Sequence, residues 1–319
     1  MKNRILIVGT GNMAQNCPGR LGDGLILGAV ADYIHQGGFC VHLITNAVAY
    51  PYLSATYHYT LEKARDDQML LSLSQELMGW ANCLVIPRPA GDPIALELKA
   101  RVQHAGWMHP DHILHMGDLE AYSSTRHMID QLIEGMMPFL DLPAPECLIP
   151  RVFWSVESEA SSSAPEYLIL PVAGDARKQI GGDELRELWN ILKGQGRVEI
   201  AGTLFEHDRQ QLESIKCATG DLNTGVVIAR SIAGIFASAR SAGKIISADS
   251  GLLWLVTSWL NGLVYCGKLK KVDYPEIWVY HKDQQAQVPS FRVWHPLPAF
   301  EDKVKKLPME GHSFKDLLQ

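Results

Sequence analysis

Short apolar runs alternate along the chain with longer stretches whose apolar residues recur at helical spacing, and this alternation happens twice. Ile5–Val8 is an unbroken apolar run ending at Gly9, which predicts a buried strand. A glycine-rich loop follows (Gly9, Gly11, Gly19, Gly22, Gly24), and Leu25–Ile34 then carries a helical pattern stopped by Gly37 and Gly38. Cys40–Thr45 is the next strand, so the opening reads strand, loop, helix, strand, the order that builds a parallel sheet. Cys83–Ile86 and His112–His115 predict further strands, and Met69–Trp80 and Ile94–His104 predict helices. Thr125–Leu140 is a helix with His127, Ile129, Leu132, Ile133, Met136 and Met137 spaced along one face.

Asp141–Pro165 breaks the pattern with Pro143, Pro145, Pro150, Pro165 and the run Ser161–Ser163, and reads as a linker in which Val152–Val156 could still pair as an edge strand. The alternation then restarts. Strands are expected at Tyr167–Leu170, Val198–Ala201, Lys244–Ser247 and Leu263–Cys266. Helices are expected at Gly182–Leu192, Glu206–Ile215, Val226–Ala239 and Gly251–Leu260. The expectation is an α/β protein with domains at residues 1–150 and 151–319, two sheets in tandem with a cleft between them that would take a ligand at the carboxyl ends of the strands. Internal repeats are absent.

Length and composition agree with this picture. The 319 residues exceed one ordinary domain of roughly 100–200 residues. The chain is 47% hydrophobic and 20% charged, with a formal net charge of -6, which argues against a nucleic-acid partner and against a polybasic membrane surface. The six cysteines (Cys17, Cys40, Cys83, Cys147, Cys217, Cys266) form no C-x-x-C pair, so they signal neither zinc nor a redox dithiol and fit small core residues in a reducing cytoplasm. No apolar run has the length of a signal peptide core or a membrane span, so a cytoplasmic protein is expected. The histidines show no metal-ligand spacing, and no Asp-x-Asp pair is present to hold a diphosphate through a metal.

Five stretches carry candidate chemistry. Gly9-Thr10-Gly11-Asn12-Met13-Ala14 looks like a dinucleotide fingerprint, but Pro18 interrupts the following helix and Asn46 stands where an acid would hold the ribose hydroxyls. Gly22-Asp23-Gly24 places a carboxylate at a helix start, where it is either a general base or simply an N-cap. In Leu170–Lys178 a cation, Lys178 or its neighbour Arg177, could offset charge on a leaving diphosphate or could be a solvated loop charge. Glu206, after the turn at Gly202, could accept from ribose hydroxyls or serve as an acid in a helix's first turn. Asp249-Ser250-Gly251-Leu252 opens an apolar helix whose unpaired N–H groups make an anion site, unless the residues only cap it.

The order and spacing of these patches, from Ile5 to about Gly267, resemble glycosyltransferase family 9, the heptosyltransferase-like enzymes of the GT-B fold. The resemblance implies two Rossmann-like domains facing across a cleft, the N-terminal one binding an acceptor and the C-terminal one a nucleotide-sugar donor. It makes Asp23 the catalytic base and Lys178 the cation on the donor phosphates. It places Glu206 on the nucleotide and Asp249, Ser250, Gly251 and Leu252 around the pyrophosphate. It implies inverting, metal-independent transfer of a heptose-like sugar from an ADP-sugar or another nucleoside diphosphate sugar, with no further cofactor. The acceptor would be a small molecule or a lipid-linked saccharide. The chain departs from the pattern at Trp254, where histidine is usual, and at Ala173 and Gly174, where hydroxyl residues are usual. A nucleotide-sugar epimerase or hydrolase, or a non-catalytic binding homologue, would share the fold. The segment Pro296–Gln319 is expected to cross back to the first domain, as GT-B tails do.

Overall fold

The computed structural model of the chain describes residues 3–9, 21–119, 128–146, 148–155, 164–174, 178–219, 227–280 and 303–307. The chain divides into two compact units, the first running to Phe153 and the second beginning at Trp154 and including residues 304–307.

The first unit holds a five-stranded parallel sheet. Its strands are β1 (Arg4–Val8), β2 (Cys40–Asn46), β3 (Thr60–Ala64), β4 (Cys83–Ile86) and β5 (Ile113–His115), in the order β3-β2-β1-β4-β5. The helices are α1 (Leu21–Gln36), α2 (Tyr50–Ser54), α3 (Asp67–Met78), α4 (Pro93–Ala105) and α5 (Met128–Phe139). Ile5, Leu6, Ile7 and Val8 are all fully buried, because a central parallel strand is covered on both faces and needs an apolar side chain at every position. Leu6 and Val8 pack with Leu70, Leu71, Ala95, Leu98 and Val102 of α3 and α4, while α1 packs beside α5. Asp66 and Asp92 cap α3 and α4, accepting from the N–H groups of Met69 and Ala95.

The second unit holds a six-stranded parallel sheet. Its strands are β6 (Tyr167–Leu170), β7 (Val198–Thr203), β8 (Val227–Arg230), β9 (Lys244–Ala248), β10 (Glu276–Tyr280) and β11 (Val304–Leu307), in the order β11-β10-β9-β6-β7-β8. The helices are α6 (Gly182–Leu192), α7 (Glu206–Thr219), α8 (Ile232–Ser241) and α9 (Gly251–Tyr265). Leu185, Leu188 and Leu192 of α6 and Leu212 of α7 pack on Ile169, Ile200, Ile246 and Trp278 of the sheet. On α8 and α9, Phe236 and Trp259 stack with ring centroids 4.5 Å apart.

The structure differs from the sequence reading at three assigned segments, and it adds β3, α2 and β11, which the sequence reading does not assign. Val226–Ala239 is not one helix: residues 227–230 form β8, and Ser231 starts α8 by accepting from the N–H of Gly234. Arg230 on β8 reaches the buried Glu199 of β7 with contacts of 2.7 and 2.9 Å, and Ser238 of α8 donates to the same carboxylate. That network needs Arg230 beside β7, which a helix through 226–239 would not give. Leu263–Cys266 is not a strand. Residues 263–265 finish α9, and the strand expected there is β10, eleven residues after α9 ends. Val152–Ser155 form no strand; up to Phe153 the chain is tied to the first unit, where the Phe153 N–H donates to the Thr56 hydroxyl and Arg151 pairs with Asp32 at 3.3 Å, whereas the Trp154 carbonyl accepts from the Trp259 indole of the second unit at 3.1 Å. Residue 156 lies outside the described residues, as do Thr10–Ala14 of the fingerprint, Arg177 and His127. Of the C-terminal segment, residues 304–307 pair with β10 in the second sheet.

Candidate functional site

Each unit gathers its candidate residues at the carboxyl ends of its strands. In the first, the Gly9 N–H donates to the Ile44 carbonyl at 2.8 Å, and a Cβ on Gly9 would stand 2.3 Å from that oxygen, so no side chain is possible where β1 ends. Helix α1 begins at Leu21, and Asp23 therefore lies within its first turn rather than ahead of it as an N-cap. The carboxylate sits in the positive field of the helix start. Asp23 is half-buried between the buried Gly22 and Gly24. A Cβ on Gly24 would lie 2.5 Å from the Cβ of Ala49, so this turn is pressed against the loop that follows β2. That loop is itself fixed by Asn46, whose Oδ1 accepts from the N–H groups of Val48 and Ala49 at 3.1 and 2.8 Å. Replacing Gly24 with alanine is expected to destabilise the chain by about 1–3 kcal/mol through overpacking, read as a lower urea midpoint with an unchanged slope.

In the second unit the chain reverses direction across the sheet between β6 and β9. From β6 it proceeds outward through β7 and β8, whereas β9, β10 and β11 lie on the other side. Such a switch point is where open α/β sheets bind ligands. Two segments meet there. The loop after β6 folds back on itself, the Ile180 N–H donating to the Pro171 carbonyl at 3.1 Å and the Gln179 amide to the Ala173 carbonyl at 3.1 Å. It delivers Lys178, whose Nζ donates to Oδ2 of Asp249 at 2.7 Å. Asp249 directly follows β9 and is 8% exposed. Ser247 steadies the same strand end, its hydroxyl placed 2.8 Å from the Ala248 carbonyl and 3.3 Å from that of Leu170.

Ser250 is the N-cap of α9 and accepts from the Leu253 N–H at 3.2 Å. The first N–H groups of a helix, here those of Gly251 and Leu252, have no acceptor within the helix and present partial positive charge. Lys178, Asp249, Ser250, Gly251 and Leu252 are thus brought to one point, with a cation, its counter-ion and a capped helix start together. Trp254 is buried in α9, which is buried around its whole circumference from Leu252 to Gly262.

Glu206 stands apart from this cluster. It is exposed at the first position of α7, beyond the carboxyl end of β7, and accepts from the Gln210 side chain at 2.9 Å. The turn before it is held by Asp208, which the sequence reading does not single out. Its Oδ2 accepts from the N–H and the hydroxyl of Thr203 at 2.9 and 2.7 Å. The signal for it is a second acid in the first turn of α7, two residues after Glu206. Beside α6, Tyr280 at the end of β10 donates to Glu184 at 3.0 Å, and burial raises its phenol above the ordinary range, so it stays a neutral donor.

No family model matches the chain, and no curated protein does. Solved structures do match. E. coli ADP-heptose LPS heptosyltransferase II is 14% identical with a TM-score of 0.60, covering 98% of this chain and 92% of its own. A glycosyltransferase of family 9 from Veillonella parvula is 10% identical with a TM-score of 0.62, covering 97% and 86%. The E. coli heptosyltransferase WaaC with ADP is 12% identical with a TM-score of 0.56, covering 98% and 96%. The fold is GT-B. At these identities the likeness establishes the two Rossmann-like sheets with their flanking helices, and the chemistry has to be argued from the residues. Among the described residues no helix is long and apolar enough to cross a membrane.

Proposed function

We propose that this chain is an inverting glycosyltransferase in which the second unit holds a nucleoside diphosphate sugar and the first supplies the base, Asp23. The observation that carries the reading is the Lys178–Asp249 contact of 2.7 Å beside the capped start of α9, at the switch point of the second sheet. A diphosphate there meets an ammonium group and the helix N–H groups of Gly251 and Leu252, both of which stabilise negative charge as the sugar–phosphate bond breaks. These fixed charges do the work a metal would do elsewhere, so the reaction is read as metal-independent. Glu206, one strand further along at the end of β7, is assigned to the ribose hydroxyls.

The acceptor hydroxyl loses its proton to Asp23 as its oxygen attacks the anomeric carbon from the face opposite the diphosphate, and the configuration inverts. The matched WaaC structure contains ADP, which makes an ADP-sugar the favoured donor. A heptose-like sugar is assigned on the same likeness. The acceptor is a small-molecule or lipid-linked saccharide, and the reaction is placed in the cytoplasm.

A thermal-shift titration with ADP, UDP, GDP, CDP, NAD and ADP-ribose, each with and without EDTA, tests the reading. One nucleoside diphosphate is expected to stabilise the chain by about 2.7 kcal/mol at 100 times its dissociation constant, whether or not EDTA is present. A shift with NAD alone would return weight to the Gly9–Ala14 fingerprint and overturn the assignment. Stabilisation that EDTA abolishes would overturn the metal-independent mechanism.

A further inference from the structure

Lys178 stands on a short stretch of chain that leads into α6, and that stretch is tied to the sheet a second time, away from the Asp249 contact. Ile180 is buried in the core with Val172, Ala173 and Leu185, and Gly181 is the N-cap of α6. Glu184, three residues on, turns its carboxylate back toward the cap, because a Cβ on Gly181 would meet Oε2 of Glu184. The other oxygen, Oε1, accepts from the Tyr280 hydroxyl at 3.0 Å. Tyr280 is fully buried, its ring in the same core as Ile180 and Leu185. It closes β10, and its register partner on β9 is Ala248, the residue before Asp249.

Residues 178–184 are therefore joined to two neighbouring strand ends, by Lys178 to Asp249 after β9 and by Glu184 to Tyr280 on β10. Core packing alone does not ask for the second link. Phenylalanine at 280 would fill the same ring position. An acid at 184 could stay in solvent, as its exposed neighbour Asp183 does, and still gain the field of the helix start. Instead a half-buried carboxylate and a fully buried phenol meet each other beside the cap that follows Lys178.

We infer that Glu184 and Tyr280 are a positioning pair for Lys178, setting the affinity for a diphosphate without touching it. This rests on the phosphate role proposed for Lys178. A lysine ammonium rides on a flexible four-carbon stem, so the part of it that a fold can fix is the backbone from which the stem starts. Glu184 holds the Gly181 cap and Tyr280 holds Glu184, which keeps that backbone level with the end of β9 whether the ammonium meets Asp249 or a phosphate. With the hydroxyl gone, the cap has room to shift, more freedom is lost when the ammonium engages its anion, and affinity falls.

Calorimetric titrations of the full chain with ADP and with inorganic pyrophosphate test this. Tyr280→Phe keeps the buried ring and is expected to weaken both ligands by about three- to ten-fold, the worth of one hydrogen bond. Glu184→Ala should match it. Glu184→Gln, whose amide oxygen still accepts from the phenol, should restore most of the affinity. Coupling to Lys178 is the readout that a purely structural role does not give. In a Lys178→Met background, Tyr280→Phe should change either affinity by no more than about two-fold. Equal losses in the two backgrounds, or wild-type affinity in Tyr280→Phe, would overturn the inference and leave the phosphate role of Lys178 standing. Binding that Lys178→Met leaves unchanged, or no binding of either ligand by the wild type, would remove that role and the inference with it.

Discussion

Asp23→Asn should lower turnover by about 10²–10⁴-fold while nucleoside diphosphate binding stays unchanged, because the amide keeps the shape of the carboxylate but cannot take a proton. The substitution separates two roles that one position could serve. Asp23 lies in the first turn of α1, where an acid also steadies the helix through the macrodipole. That contribution is small, about 0.3–1 kcal/mol. If it were the whole role, the variant would show a slightly lower unfolding midpoint and full activity, and the assignment of Asp23 as base would be lost. Measuring single-turnover rate and unfolding midpoint on the same preparation decides between the two.

The second large effect concerns Lys178. Lys178→Met is expected to reduce nucleoside diphosphate affinity by about 10- to 100-fold, the worth of one charge-assisted contact. It also leaves the Asp249 carboxylate without its cation. The side chains of the pair are 21% and 9% exposed, so stability should fall by about 3 kcal/mol, the lower end of the cost of stranding a buried charge. A double variant, Lys178→Met/Asp249→Leu, removes the stranded charge. It is expected to recover most of the stability and none of the nucleotide affinity. Calorimetric titration with ADP and urea unfolding of the wild type and both variants give the full comparison. Were Lys178→Met to lose stability but bind ADP normally, the lysine would be a structural counter-ion and the phosphate role would fall.

Much of the fold was legible because parallel strands covered on both faces must be apolar at successive positions. Ile5–Val8, Cys83–Ile86 and Tyr167–Leu170 stand out for that reason. The edge strands β3 and β8 did not, although the edge strand β5 was read at His112–His115. β3 and β8 each pair on one side only, and their half-buried residues include Glu62, Lys63 and Arg230, so they carry no continuous apolar run. The end of α9 was misread for a different reason. Leu263–Cys266 is short and apolar, and such a run is the same in a buried helix as in a strand. What keeps it helical is non-local: α9 is buried from Leu252 to Gly262, and Asn261 is tied to Tyr274 beyond the helix.

The candidate site divides along the same line. Glycine at a strand end and Asp-Ser-Gly at a helix start are local requirements of tight turns and caps, so the sequence by itself put Gly9 at a strand end, Asp23 at a helix start and Ser250 at a cap. Only the tertiary structure decided that Lys178 meets Asp249, 71 residues away, because that contact depends on β6 and β9 being neighbours across the reversal of strand order. It also decided that Asp208, rather than Glu206, holds the turn after β7. Local spacing constrains backbone conformation through nearest neighbours, whereas ion pairs and surfaces are made by segments that only chain folding brings together.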